Sequence, residues 1–544
     1  MKSCATSECD AGYDRTFARQ AYVKWQRIAD AVLPLYTLPR KGSVMTRNLC
    51  SWLMFVLASA PLVATPACDK LASMVLPNAT VTSAQSVAAG ALTLPGGRGN
   101  AADQYKDLPA FCRVSATLRP TPDSDIKIEV WLPDSGWNQK YQAVGNGGWA
   151  GVISYSALAD ALRKGYATSS TDTGHVGGRG TFAFGHPEKL IDFGWRSEHE
   201  MTVKSKALIE AFYGNAPKLS YWNGCSTGGR QGLKEAQKFP NDYDGIIAGA
   251  PANRTALALW VAFAELKDPA SHIPASKYAM VHQAVIAACD GNDGLKDGLI
   301  DDPSKCKFDP KTIQCKEGDG PNCLTTAQAE AVRKIYTAAT NPRTGQTLFP
   351  SLVPGSELGW AVLGAGPEAS QIILDQYQYV AFQDPQWDWR TFDFDKDIAR
   401  SETPDILVMN ATDPNLKPFF SHNGKVILYH GWSDPNISPL STVQYYKSVV
   451  DTLGGEKNTS NSIRLFMEPG MGHCGGGEGP NKFDVVSAME NWVEKGSAPQ
   501  SMIASHSTAG KVDRTRPLCP YPQVAIYKGS GSIDEAANFT CAVP

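Results

Sequence analysis

Two periodicities alternate along the middle of the chain. Residues 126–132 (IKIEVWL) put apolar side chains on alternate positions, and this period of two predicts a strand. Residues 141–144 form a shorter strand that runs into the loop Gly145-Asn146-Gly147-Gly148. Helical spacing at 202–213 is followed by a β-rich tetrapeptide at 220–223, a helix at 227–239 and an apolar strand at 244–250 (DGIIAGA). Strands alternating with helices predict a parallel sheet covered by helices, the α/β class. From 253 to 400 that alternation is lost. Short cysteine loops, an acidic Gly-rich segment and the aromatic residues Trp387, Trp389, Phe392 and Phe394 fill this stretch, which reads as an inserted lid domain. The sheet pattern resumes at 425–430 (KVILYH) and 463–466 (IRLF). The expected layout is a core of 68–252 and 401–544, interrupted by a lid at 253–400.

The first 67 residues follow a different rule. The apolar run LCSWLMFVLASAPLV at 49–63 is preceded by Arg40, Lys41 and Arg47 and followed by the small-residue stretch Ala64-Thr65-Pro66-Ala67. A basic start, an apolar middle and a small-residue exit describe a secretory leader, and the run is short for a membrane span. Met45 sits just before Arg47, so translation from Met45 is the expectation. Export to a secreted or periplasmic location follows, with no membrane span after leader removal.

Composition narrows the function classes. A net charge of −3, with Lys and Arg scattered, provides no basic field for nucleic acid or an anionic membrane. Of the 13 cysteines, Cys4, Cys9 and Cys50 precede residue 67, which leaves an even number in the exported chain. Disulfides are the expected use. Local spacing suggests Cys289–Cys306, Cys315–Cys323 and Cys519–Cys541. Zinc is the rival use, and the chain contains no C-x-x-C pair to support it.

The chemistry is concentrated in Gly224-Cys225-Ser226-Thr227-Gly228, a G-x-S-x-G between a strand and a helix. A serine on so sharp a turn has a strained backbone, and its neighbours two residues away must be small. The turn lifts the hydroxyl off the sheet and points the helix N-terminal N–H groups, that of Thr227 included, at a developing oxyanion. A serine needs a base, and in this topology the acid and then the histidine follow it. His473 lies in the Gly-rich loop after the strand at 463–466. Asp434 ends the short loop after the strand at 425–430 and would hold the His473 tautomer. His430 lies inside the strand end and reads as structural. Cys225 directly precedes Ser226 and Cys474 directly follows His473, so a bond between them would staple nucleophile to base. Gly148 first, and Gly147 second, are the expected oxyanion donors from the earlier loop, because glycines let backbone N–H groups approach a substrate oxygen.

Residues 289–302 place five Asp and three Gly in one short loop. Carboxylates and carbonyls converging there would suit a hard cation, most naturally a structural calcium ion. Asp290, Asp293 and Asp297 would ligate through carboxylates, and Leu295 and Leu299 through carbonyls. The loop is not an EF-hand, since the terminal Glu is missing.

Taken together, Gly145-Asn-Gly-Gly148, Thr171-Asp-Thr-Gly-His175, Gly224-Cys-Ser-Thr-Gly-Gly229, the segment 243–251, the acidic loop, Tyr429-His-Gly-Trp-Ser-Asp434, Pro469-Gly-Met-Gly-His-Cys474 and Arg516-Pro-Leu-Cys-Pro-Tyr521 resemble the tannase/feruloyl esterase family, which also contains mono(2-hydroxyethyl) terephthalate hydrolases. The resemblance runs from Cys68 to the C-terminus. It implies an α/β-hydrolase fold, a calcium-carrying lid, hydrolysis of aromatic-acid esters, and the pairs Cys68–Cys112, Cys225–Cys474, Cys289–Cys306, Cys315–Cys323 and Cys519–Cys541. The terephthalate hydrolases clamp a substrate carboxylate with a lid Arg, yet no Lys or Arg occurs here between Arg343 and Arg390. The segment with Trp387 and Trp389 looks more like the feruloyl esterase lids, and those rings could stack on a phenolic acid. The expected substrate is therefore a small feruloyl- or galloyl-type ester. The terephthalate monoester, with Arg390 as clamp, is the alternative.

Overall fold

The backbone of the sheet strands is dictated by which faces are covered. A computed structural model describes residues 68–94, 103–254, 259–364 and 368–544; residues 1–67, where a leader is expected, lie outside the described residues. The strands are β1 (Val75–Leu76), β2 (Ala79–Val87), β3 (Phe111–Leu118), β4 (Ile126–Pro133), β5 (Lys140–Val144), β6 (Ala167–Thr171), β7 (Leu219–Cys225), β8 (Gly245–Gly249), β9 (Ala339–Thr340), β10 (Thr347–Phe349), β11 (Lys425–Gly431) and β12 (Ile463–Glu468). Ten of them form one sheet in the order β1-β2-β3-β4-β6-β5-β7-β8-β11-β12. In β7, β8 and β11, successive side chains enter opposite cores. Trp222, Ile246, Val426 and Leu428 pack into one, and Tyr221, Ile247, Ile427 and Tyr429 into the other. Burial on both faces explains why these strands read as continuous apolar runs.

Helices close both faces. Leu233 and Ala236 of Thr227–Lys238 enter the first core, and Met489 and Trp492 of Val485–Lys495 enter the second. The fold is α/β, as expected, but the sheet is not wholly parallel. From β6 to β12 it is parallel, whereas β1 to β4 pair antiparallel, and β4 meets β6 antiparallel. Short connections explain the difference: β3 and β4 are joined by a loop too short for a crossover helix.

The inserted segment builds a core of its own. Val261, Tyr278, Val285, Leu324, Val332, Trp360, Tyr377, Trp389 and Phe392 form a cluster separate from those of the sheet. This segment is tied back to the sheet domain by buried polar contacts. Asp375 accepts two hydrogen bonds from Arg179, at 2.8 and 2.9 Å, and one from the Gly180 N–H at 2.7 Å. The Trp149 indole donates to the Ile372 carbonyl at 2.9 Å. After β12, the chain ends in two antiparallel hairpins, β13–β14 (Met502–Thr508, Lys511–Leu518) and β15–β16 (Val524–Tyr527, Phe539–Ala542). No helix among the described residues is long and apolar enough to cross a membrane.

Candidate active site

Ser226 sits between β7 and the helix Thr227–Lys238 with φ 64° and ψ −121°, a backbone region that side-chain-bearing residues rarely adopt. The flanking glycines are required by close backbone contact. A Cβ on Gly224 would lie 2.6 Å from the Gly228 carbonyl, and one on Gly145 would lie 2.5 Å from the Gly228 Cα. The turn is pinned by the Ser226 N–H, which donates to the Gly249 carbonyl at 2.9 Å. The loop of Gly145 to Gly148 is locked against the same helix. Gly228 N–H donates to the Asn146 carbonyl at 2.8 Å, and Asn146 N–H donates to Gln231 Oε1 at 3.0 Å.

Ser226, Thr227, Gly147, Gly148 and His473 all line one cavity of about 380 Å³, a size ordinary for small-molecule sites. Asp434 is fully buried behind His473 and accepts its Nδ1 at 2.6 Å. That contact leaves the opposite ring nitrogen for the cavity side. The other Asp434 oxygen accepts from the Asn436 and Ile437 N–H groups at 2.7 and 3.0 Å. Burial alone would raise the Asp434 pKa. Hydrogen bonds to His430 and His473 outweigh it and hold the carboxyl well below the usual range. His430, which the sequence reading took as structural, is thus a direct contact of the acid. Its Nε2 meets Asp434 at 3.0 Å and its Nδ1 meets Thr442 Oγ1 at 2.7 Å, so the acid is held from both sides. The signal was its position four residues before Asp434.

Cys225 is bonded to Cys474, joining the residue before Ser226 to the residue after His473. The other four bonds are Cys68–Cys112, Cys289–Cys306, Cys315–Cys323 and Cys519–Cys541, the pattern expected from the family resemblance.

The remaining walls are mostly apolar and come from distant segments: Trp149, Phe193, Phe349, Val362, Ile372, Ile373 and Met409 among them. Each of the three described π-helical turns delivers one wall residue, namely Phe193, Gln376 and Met409. Such wide turns re-aim a side chain; the one at Asp192–Arg196 does so within a continuing helix, and the other two at a helix C-terminus.

Trp387, Trp389 and Arg390 are not cavity walls, which corrects the expected substrate contacts. Trp389 is buried in the insertion's own core, and Trp387 stacks on Tyr377 at 5.3 Å. Arg390 lies over the Trp389 ring and pairs with Glu368 at 2.7 Å and Asp388 at 3.3 Å. These side chains satisfy one another, which removes the need for a ligand. The arginines that do reach the cavity are Arg230 and Arg254. Arg230 is fully buried and donates to the Phe193, Gly194 and Met409 carbonyls. Arg254 pairs with Glu402 at 2.5 Å and donates to the Leu348 carbonyl.

In the acidic loop, Asp290 Oδ1 accepts from the Asp297 and Gly298 N–H groups at 3.1 Å, and Asp293 Oδ1 accepts from Leu295 N–H at 2.9 Å. Asp297 accepts from Leu299 N–H at 3.1 Å and from Arg516 at 2.5 Å. The Cys289–Cys306 bond brackets the loop. Its donors are all oxygen, and the carboxylates outnumber the one Arg beside them, which suits a hard cation.

The sequence profile described as "Tannase and feruloyl esterase" matches residues 112–542. This chain belongs to the tannase and feruloyl esterase family. A relative in Xanthomonas campestris pv. campestris, described as an uncharacterized esterase, is 39% identical over 537 residues, covering 88% of this chain and 91% of its own. A probable feruloyl esterase B-2 of Aspergillus terreus is 35% identical over 503 residues, covering 88% and 95%. The crystal structure of feruloyl esterase B from Aspergillus oryzae superposes with a TM-score of 0.82 at 32% identity, over 87% of this chain and 99% of that one. Family membership makes the protein a carboxylic ester hydrolase with an α/β fold.

Proposed function

We propose that this protein is a secreted serine esterase that cleaves esters of aromatic acids of the feruloyl or galloyl type through Ser226, His473 and Asp434. The carrying observation is the shared cavity: Ser226 stands on a strained turn beside His473, and His473 Nδ1 is held by buried Asp434 at 2.6 Å. Ser226 Oγ attacks the ester carbonyl while His473 Nε2 takes its proton. The carbonyl C=O becomes an oxyanion that the N–H groups of Thr227 and Gly148, with Gly147 beside them, would receive. Collapse expels the alcohol, which takes the proton back from His473. Water then cleaves the acyl-enzyme by the same two steps in reverse order.

The apolar walls suit an aromatic acyl group, and the charges of the two cavity arginines are already met by protein acceptors. That favours a phenolic ester over the terephthalate monoester, whose free carboxylate asks for a cation held open to it. The leader and the disulfides support export. Asp290, Asp293 and Asp297, with the Leu295 and Leu299 carbonyls, would hold a calcium ion whose role is to rigidify the loop.

The test is kcat/KM on methyl ferulate, methyl gallate and mono(2-hydroxyethyl) terephthalate. The proposal expects a phenolic ester to be preferred and the activity to be lost in Ser226→Ala. A preference for the terephthalate monoester would overturn the substrate assignment and point to Arg254 as its clamp.

A further inference from the structure

Away from the cavity, His199, Glu235 and Asp242 each bring one ligand atom within 4.8 Å of the others. His199 lies in the first turn of the helix Ser197–Tyr213, Glu235 in the last turns of the nucleophile helix Thr227–Lys238, and Asp242 in the turn before β8. Glu235 is fully buried, and neither of its carboxylate oxygens receives a hydrogen bond. A buried carboxylate left in that state is costly unless a proton or a cation meets it. The Glu235 and Asp242 carboxylates and the His199 ring nitrogen therefore face one another across a single small space. His199 and Asp242 keep side-chain exposures of 27% and 15%, so an ion has an entry path.

We infer that His199, Glu235 and Asp242 form a binding site for a divalent transition ion of the zinc type. One imidazole nitrogen and two carboxylates make a mixed N/O set that suits zinc and fits calcium poorly, since calcium takes six to eight oxygens. The donors approach from three separate elements, and three protein ligands with one water would make up the four that zinc takes. The site is also oriented. Phe239 stacks on the His199 ring with centroids 3.7 Å apart, and the Lys206 ammonium is engaged by the Asp242 carbonyl at 2.5 Å, which fixes the turn. His199 Nδ1 lies 2.7 Å from Asp242 Oδ2. An incoming ion replaces the proton shared along this contact, and that proton passes to solvent. Glu235 lies nine residues after Ser226 on one helix, about 13 Å along its axis. The ion would therefore brace the nucleophile helix from behind without touching substrate.

The test uses the full-length protein, stripped with chelator and then held in excess Ca²⁺ to satisfy the acidic loop. Calorimetric titration with Zn²⁺ should find one equivalent, with proton release, and Co²⁺ should give a visible absorption band. Glu235→Gln keeps the shape of the side chain, and His199→Ala removes the nitrogen donor. Each should weaken Zn²⁺ binding at least tenfold and abolish the Co²⁺ band. The far-ultraviolet dichroism of Glu235→Gln checks that the fold is retained. Absence of Zn²⁺ binding in excess Ca²⁺ would overturn the site. So would an affinity unchanged in both variants, or one lost only in His473→Ala, which would place the ion at the catalytic histidine.

Discussion

Replacing Cys225 and Cys474 together by alanine should cost catalytic rate more than it costs fold. The bond closes a loop with a sequence separation of 249 residues. Chain entropy sets a ceiling of about 5 kcal/mol for such a loop, and losses on removing a native bond run at roughly 2–5 kcal/mol. A cooperative unit of this size has an unfolding entropy of about 1 kcal/mol per degree, so Tm should fall by only about 2–5 °C. The rate effect comes from position. Ser226 has φ 64° and Cys474 has φ 61°, both in a region costing about 1–3 kcal/mol that persists only where the surroundings enforce it. Without the bond, the His473 loop keeps its Asp434 contact and the Ser433 N–H to Met471 carbonyl bond at 2.9 Å, but loses its covalent tie to the elbow. A displacement of about 1 Å between base and nucleophile can cost up to about 10²-fold. We expect kcat to fall about 10- to 100-fold at temperatures well below Tm, with KM little changed because the apolar walls Trp149, Phe193, Ile372 and Met409 remain. Steady-state kinetics on methyl ferulate, alongside calorimetry, read both. A double variant that stays folded and keeps the parent kcat would refute the claim that the bond positions the pair.

Three further outcomes are expected. Asp434→Asn should lower kcat by about 10³- to 10⁴-fold with little change in KM, because the His473 tautomer is lost; retention of most activity in the same kinetic assay would contradict this. His282 meets Glu357 at 2.8 Å and Glu478 at 2.7 Å, and although burial alone would lower its pKa, these carboxylates raise it to about 9. Its stabilisation, up to about 3 kcal/mol, is fully present below the unfolded pKa of about 6.5 and is lost as pH rises through about 9; Tm against pH should show this fall, and His282→Gln should flatten it. Chelation should lower Tm, and Ca²⁺ should restore it by about 2.7 kcal/mol at a hundredfold excess over Kd; no response to either in a thermal melt would remove calcium from the account.

What the sequence disclosed divides by the kind of signal. The central strands were legible because burial on both faces leaves runs such as KVILYH. The elbow was legible because close backbone contact forces glycines into fixed places. β6 (ATSST) was not, since a fully buried strand of small and hydroxyl side chains carries no apolar period. Its hydroxyls are satisfied inside the sheet, where Thr168 donates to the Gln142 carbonyl at 2.7 Å and Ser169 pairs with Tyr141 OH at 2.6 Å. β2 was missed for a related reason: its residues are half-buried at most, and the side bearing Ala79, Val81 and Ala84 that packs on the core is broken by a bulge between Val81 and Ser83. The cavity walls were the least legible part. Phe193, Ile372 and Met409 come from segments far apart in the chain and meet only through tertiary packing. The aromatic stretch 387–394 misled because a core of stacked rings and a ring-binding site have the same composition.

The most direct test of the account is covalent labelling with a serine-directed aryl phosphonate, followed by peptide mass mapping. The account predicts one adduct per chain, on Ser226, with activity falling in step with labelling, and no adduct in Ser226→Ala. Labelling at another serine, or activity that survives complete labelling of Ser226, would contradict it.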